Sequence, residues 1–299
     1  DTPEFQRLRE IKQTGATCYV YPGAEHTRFQ HCLGVAHLAF QFGELIKARY
    51  PDIINDKLIN LLCLAGLCHD LGHCSYSHLY DRYVIPMFTT DMGLEAIKTH
   101  EEASVLILSK IYHKHENKLG LTKEDLSTIG KMILGKPNDV PKILESIITW
   151  SESDLKNMFL FEVVSNARTG IDVDKFDYLK RDCHYCGIPC TFDPQRLMTF
   201  LSIEERDGQK IINYSGRSDE IVKSMWNSRD DLHRRVYQHR VVKCIDLMIL
   251  EIVKSCSDDF IDAKNQIKLK DAHKNLDTYC LLTDYSLICL ANKNNVAKD

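Results

Sequence analysis

The sequence predicts a mainly α-helical protein with a small β-hairpin module and a C-terminal helical part. Three observations predict it. Apolar residues recur at three and four over most of the chain, the spacing of one helix face. One segment, around residues 200–214, changes to a strand pattern that turns at Asp207-Gly208. The 299 residues are 44% hydrophobic and 27% charged, an ordinary globular balance in a chain long enough to bury a large core.

The elements follow in order. Thr27 reads as an N-cap, after which His31, Val35, Leu38, Phe42 and Leu45 share a helix face. Residues 56–70 are apolar on almost every side and predict a central, buried helix. Further helices are predicted at about 100–115, 122–134, 141–149, 155–167, 171–185, 218–228, 230–257 and 271–291. Residues 135–141 form a connector, and Pro51 and Pro86 are placed in loops. No internal repeat or low-complexity stretch interrupts this order.

Composition narrows the function. A net charge of -4 argues against a general nucleic-acid binder, so a phosphorylated ligand needs a local basic cluster. The polar start, Asp1-Thr2-Pro3-Glu4, carries no secretory signal and reads as a boundary inside a larger protein. The 12 cysteines are scattered, often in apolar runs, which predicts reduced thiols and an intracellular protein, nuclear or cytoplasmic. No apolar run is long enough to span a membrane.

The strongest local signal is Cys68-His69-Asp70-Leu71-Gly72-His73. An ionised Asp at the end of a buried helix is costly without a partner and calls for a cation. Gly72 is read as chain flexibility at that helix end. By itself a His-Asp dipeptide is more often a surface pair or a cap. Here His31 lies on the apolar face of its own helix, and Asp174 opens another in Gly170-Ile171-Asp172-Val173-Asp174-Lys175. His31, His69, Asp70 and Asp174 form a mixed N/O set suited to Fe, Mn, Zn, Ni or Mg, with one or two ions. Such a site keeps positions open for water and phosphate.

His73 follows His69 by four, His78 and Asp81 are three apart, and His100 opens a helix. Neutral-range titrators beside a metal suit acid–base work. Farther on, Arg229, His233, Tyr237 and Arg240 share one helical stripe, placing cations and a ring where phosphates and a sugar face can meet them. The alternative is a solvated charged helix. Cys183, Cys186 and Cys190 have half of a zinc pattern, and core packing is the preferred reading.

These stretches resemble a known family. The run Asp1 to Arg9, Phe29-Gln30-His31-Cys32-Leu33-Gly34-Val35, Ala65 to His73, Asn166 to Lys175, and Leu232 to His239 are similar, in order and over nearly the whole chain, to the HD-domain deoxynucleoside triphosphate (dNTP) triphosphohydrolases. The resemblance is to the animal branch that joins a sterile-alpha-motif domain to an HD domain and restricts retroviruses. It implies an HD helical fold, with 1–201 as the catalytic core and 202–299 as a hairpin and helical region completing it. It implies hydrolysis of dNTPs to deoxynucleoside and inorganic triphosphate. His31, His69, Asp70 and Asp174 would bind metal, while His78, oriented by Asp81, would protonate the leaving oxygen, with His73 and His100 on phosphate.

The resemblance further implies that Arg28, Lys175, Tyr178 and Arg229 hold the triphosphate, with His233 beside them. Gln13 and Asp182 would bind the sugar 3′-OH, and Tyr237 would pack under C2′. It implies activation by GTP and dNTP bridging a dimer or tetramer. Asp1, Gln6 and Arg9 would read the guanine nucleotide, and Val20, Tyr21, Arg217, His239 and Arg240 the adjoining deoxynucleotide. The chain departs from the family pattern at Thr14, which replaces an apolar wall residue of the sugar pocket. It departs again at Ser202 and Asp219, where basic regulatory residues are usual, which weakens triphosphate binding there. Two other classes stay in view: an HD nucleotidase or phosphodiesterase of different specificity, and a catalytically silent nucleotide sensor or binder of single-stranded nucleic acid.

Overall fold

The structure, a computed structural model, describes residues 1–89, 97–137 and 139–293. Among them helices dominate, as the periodicity predicts. The principal ones are α1 (Arg28–Arg49), α2 (Asp56–Cys68), α3 (His100–Leu119), α4 (Lys123–Leu134), α5 (Val173–Tyr185), α6 (Asp219–Leu232), α7 (Arg240–Ser255) and α8 (Asp284–Lys293). Thr27 precedes α1 in extended conformation, and its N–H donates to Gln30 Oε1 at 2.9 Å. Helix α2 buries Ile59, Leu61, Leu62, Ala65 and Cys68 against α1 and α4. At Gly66 a Cβ would meet Val35 O at 3.0 Å and Ala36 Cα at 3.1 Å. That close approach brings the end of α2 under the first turns of α1, where His31 lies.

The predicted hairpin is present. β1 (Leu201–Arg206) pairs antiparallel with β2 (Gln209–Tyr214), in register from Leu201↔Tyr214 to Arg206↔Gln209. Asp207 and Gly208 both take positive φ, 53° and 75°, the conformation a tight two-residue turn demands. A second small hairpin, β3 (Phe260–Asp262) with β4 (Ile267–Lys268), interrupts the C-terminal part and was not predicted.

Several helix expectations need correction. The helix expected at 141–149 is a single 3₁₀ turn, Lys142–Leu144, after Pro141. That expected at 155–167 is Glu152–Lys156 followed by a 3₁₀ turn, Met158–Glu162, because Asn157 caps the first piece. The expected break near Arg229 lies instead at Gln238–His239, after a π-helical turn over His233–Tyr237. The 271–291 helix divides into Leu269–Lys274, Leu276–Tyr279 and α8. Pro86 is not in a loop. It sits in the first turn of a short helix, Ile85–Phe88, where its missing N–H costs nothing. The connector 135–141 includes Asn138, which lies outside the described residues. None of the twelve cysteines is in a disulfide, in line with the expected reduced thiols. No helix among the described residues is long and apolar enough to cross a membrane.

Helix α8 is clamped to the front of the molecule by a buried carboxylate. Asp284 accepts from Tyr76 N–H at 2.6 Å and from Lys12 N–H at 3.0 Å, and Ser75 Oγ donates to Thr283 O at 2.7 Å. Burial pushes the Asp284 carboxyl up from 3.8 to about 6, against the pull of those two N–H groups. A folded pKa above the unfolded one favours the native state at low pH. The contribution is complete below about 3.8 and is lost as pH rises through about 6. We therefore expect wild type to lose about 1.4 kcal/mol relative to Asp284→Asn between about pH 5 and about pH 7.5, measured by urea denaturation at both. A constant difference between the two proteins across that range would contradict the assignment.

Candidate active site

The His-Asp pair ends α2 as expected, and the fold gathers partners around it. His31 is fully buried. Its Nδ1 lies 2.7 Å from Asp177 Oδ2, while His69 Nδ1 donates to Gly66 O at 2.7 Å. Both rings are thereby oriented from behind, and their Nε2 atoms face each other 3.2 Å apart. Asp174 Oδ1 lies 3.0 Å from His31 Nε2 and 3.5 Å from His69 Nε2. Asp70 closes the group, with Oδ2 3.4 Å from His31 Nε2 and Oδ1 3.5 Å from His69 Nε2.

This donor set fits a divalent ion. With each Nδ1 committed to an acceptor, two ring lone pairs converge, which is unfavourable unless a cation lies between them. Donors about 3 Å apart match ligands near 2.1 Å from a common centre. The electrostatics agree. Burial disfavours charge on His31, yet Asp174 and Asp177 push its pKa up to about 10. The carboxylates thus demand positive charge that a metal supplies.

A second group adjoins the first. His73, His78, Asp81 and His100 bring their ligating atoms within 4.8 Å of one another. The His73 and His100 rings stack at 4.0 Å, and His78 stands edge-on to both. The sequence paired Asp81 with His78. In the structure Asp81 Oδ2 is 2.7 Å from His100 Nδ1 and 3.6 Å from His78 Nδ1, so His100 is its nearer partner. Burial disfavours charge on His100, but the Glu101 and Asp81 carboxylates push its pKa up to about 9. Burial holds His73 and His78 below the usual histidine range, with the Arg28 charge adding to the effect in each.

Both groups open onto one cleft of about 260 Å³. Gln13, Thr14, Arg28, Asp70, His73, His78, His100, Asp174, Tyr178, Asp182, Arg229, His233 and Tyr237 all line it. The expected Arg229-His233-Tyr237 stripe holds. Arg240 leaves it, exposed beyond the helix break at Gln238–His239. Arg28 is buried and engaged on every side, to Asp70 at 2.7 Å, Ser77 Oγ at 3.0 Å and Gln13 O at 3.0 Å. Lys175, expected on the triphosphate, does not line the cleft, because Asp172 holds it at 3.0 Å.

Residues the sequence reading missed also line the cleft: Ser77, Arg82, Gln238 and Lys243. Arg82 lies in a π-helical turn, Tyr80–Val84, whose spacing turns side chains off the faces a 3.6-residue period assigns. Asp177 was also missed, although its i+3 spacing from Asp174 on α5 was visible.

Some of the expected activator residues touch one another. Asp1 Oδ1 accepts from Gln6 Nε2 at 2.9 Å, Gln6 Oε1 accepts from Arg9 Nε at 2.7 Å, and Arg9 stacks over Phe29 at 3.6 Å. Tyr21 lies edge-on to His239 at 6.0 Å and follows Val20, while Arg217 is exposed in a turn beside Asp219.

The fold is helical, with a His-Asp pair at its centre and further His and Asp side chains converging on it from neighbouring helices, and residues 28–158 match the HD domain. That match covers the segment that carries His31, His69 and Asp70. It is similar to deoxynucleoside triphosphate triphosphohydrolase SAMHD1 of Homo sapiens, 37% identical over 95% of this chain and 46% of that protein. It is likewise similar to SAMHD1 of Gallus gallus, at 38% over 95% and 47%, and to the SAMHD1 homolog of Dictyostelium discoideum, at 33% over 95% and 49%. The chain spans about half the length of these curated relatives.

Proposed function

We propose that this chain hydrolyses dNTPs to deoxynucleoside and inorganic triphosphate, using a divalent ion held by His31, His69, Asp70 and Asp174. The supporting observation is a set of buried polar atoms without hydrogen-bond partners among the described residues. Gln13 Oε1, Thr14 Oγ1, His73 Nδ1 and Arg229 Nε all belong to residues lining the one cleft. Burying such groups unpaired is costly, so the cleft is shaped for a ligand rich in polar and anionic atoms. The similarity to the triphosphohydrolases names that ligand class.

When bound, the ion supplies Lewis-acid polarisation of a phosphoryl oxygen and a more acidic water. The remaining roles fall to the chain. Arg229 and Tyr178 hold the triphosphate, Lys175 adds its charge from beside Asp172, and Arg28 braces Asp70 and the Gln13 backbone. His73 and His100 face the α-phosphate. Water adds to phosphorus and the bond to the 5′-oxygen breaks, and that oxygen needs a proton. His78, with its side chain 45% exposed to the cleft, is placed to deliver it, and the Asp81–His100 pair holds a proton behind it. Substrate anion raises the His78 pKa towards that task. Gln13 and Asp182 take the 3′-OH, and Tyr237 closes the C2′ side and excludes ribose.

Residues 1–201 and 202–299 act in this reading as one catalytic unit, joined through Asp284 and through Tyr279 Oη, which donates to Gly72 O at 2.7 Å. GTP at Asp1, Gln6 and Arg9, and a deoxynucleotide at Val20, Tyr21, Arg217, His239 and Arg240, would promote oligomer assembly. Ser202 and Asp219 make the second site the weaker one.

Incubation with each dNTP and Mn²⁺, with and without GTP, tests the reading by product chromatography. Triphosphate and deoxynucleoside in equal amounts are expected. Orthophosphate without triphosphate would assign the chain to another HD nucleotidase, and no turnover with metal bound would leave a nucleotide sensor.

A further inference from the structure

We infer that His26, which does not line the cleft, is the positioning residue that sets the sugar pocket and its preference for deoxyribose. The inference rests on the reading of Gln13, Asp182 and Tyr237 as sugar contacts, and it adds a residue that neither the motifs nor the pocket includes. His26 is 1% exposed, and its Nε2 lies 2.6 Å from Asp182 Oδ1. The other oxygen, Asp182 Oδ2, accepts from Tyr237 Oη at 2.5 Å. The backbone carbonyl of His26 accepts from Gln13 N–H at 3.0 Å. One residue therefore touches both proposed 3′-OH partners directly and reaches Tyr237 through one carboxylate.

The local structure allows His26 little freedom. Its ring stacks face to face on Tyr185, with centroids 4.4 Å apart and planes 12° from parallel. Its Nδ1 is buried without a hydrogen-bond partner among the described residues, so the ring presents its Nε2–H to Asp182. Asp182 is itself 2% exposed. A carboxylate so deeply buried keeps its orientation only while donors hold it, and His26 supplies one of the two that fix it. Without that donor Asp182 is free to rotate towards Tyr237, and the ring that walls the C2′ side loses its anchor. Tyr178 stands one turn before Asp182 on α5, but among the described residues no hydrogen bond joins Tyr178 or Arg229 to His26 or Asp182, so the direct damage falls on the sugar contacts.

His26→Phe keeps the stack on Tyr185 and removes the donor, while His26→Gln restores an N–H. For His26→Phe we expect KM for dNTPs to rise about ten- to a hundredfold with a smaller change in kcat, and the dNTP-to-rNTP ratio of kcat/KM to fall about tenfold. Inhibition by inorganic triphosphate should stay unchanged. A 2′,3′-dideoxynucleoside triphosphate, which lacks the 3′-OH, should feel the substitution least. His26→Gln should recover most of the loss. Thermal denaturation confirms that both variants are folded, and Kd values for dNTP, rNTP and dideoxy analogue read the same pattern without turnover. Equal losses for all three ligands, or unchanged selectivity in His26→Phe, would overturn the inference while leaving wild-type triphosphate release intact. A wild-type protein that neither binds nor hydrolyses dNTPs would remove both readings.

Discussion

Asp174→Ala should lower dNTP turnover at least a thousandfold, about the loss expected when the group completing a catalytic constellation is removed, and should leave the purified protein without stoichiometric metal. Asp174 Oδ1 is the carboxylate oxygen nearest His31 Nε2, at 3.0 Å, and it also faces His69 Nε2. Removing it leaves two converging imidazoles and one carboxylate, Asp70, which Arg28 already half neutralises at 2.7 Å. The fold should survive, because the Asp174 side chain is 31% exposed and stands in the first turn of α5, where losing a negative charge costs about 0.3–1 kcal/mol. Elemental analysis, circular dichroism and product release on one preparation separate these outcomes. Asp177→Asn provides the graded companion. Asp177 is not itself one of the proposed donors and orients His31 through Nδ1, so metal affinity should drop about ten- to a hundredfold with the products unchanged. Full metal content and full activity in Asp174→Ala would exclude the site as drawn.

How much of this was legible before the fold was known differs from residue to residue. The long helices announced themselves, because α1, α2, α4 and α5 bury one face or all faces and begin at Thr, Asn or Asp caps. The candidate metal donors stood out for a related reason: an ionised Asp beside a His at the end of a helix as apolar as α2 is costly without a partner. What failed was anything set by a change of helical period. The π turns at Tyr80–Val84 and His233–Tyr237 follow no rule of spacing, so Arg82 was missed and Arg240 was placed on a stripe it leaves. Long-range partners failed too. His26 and Asp182 are 156 residues apart, Asp284 and Lys12 are 272 apart, and only the packed chain makes them neighbours. Short 3₁₀ turns around Lys142 and Met158 carry apolar residues at helical spacing without enough residues to propagate a helix.

Gly72→Ala should be among the most damaging single changes available, although it adds one methyl group beside a site whose ligands it leaves in place. The sequence reading took Gly72 for a flexible helix end. Its φ lies outside the left-handed region, and what it provides is room. A Cβ there would lie 1.9 Å from His100 O, 2.6 Å from Ser104 N and 2.7 Å from Ala103 Cβ. Two of these are backbone atoms of the first turn of α3, which no rotamer change can move. Around them the end of α2 is bolted to α3: Ser104 Oγ accepts from Gly72 N–H at 2.8 Å and donates to His69 O at 2.6 Å. Separating the two segments would break both bonds and shift His69 and His100 in opposite directions, on either side of the proposed phosphate. Overpacking of this kind costs about 3 kcal/mol, occasionally more, which lowers Tm by roughly 6 °C or more in a chain of this size. Displacing the reacting groups by about 1 Å costs a further hundredfold in kcat. Gly216→Ala, where nothing lies within 4 Å of the added Cβ, serves as the neutral control. The double substitution Gly72→Ala with Ala103→Gly isolates the cause. It relieves the side-chain contact and leaves the clash with His100 O, so it should stay as unstable and inactive as the single variant. Recovery in the double variant would show that α3 yields at Ala103 and that the backbone approach is not what requires glycine.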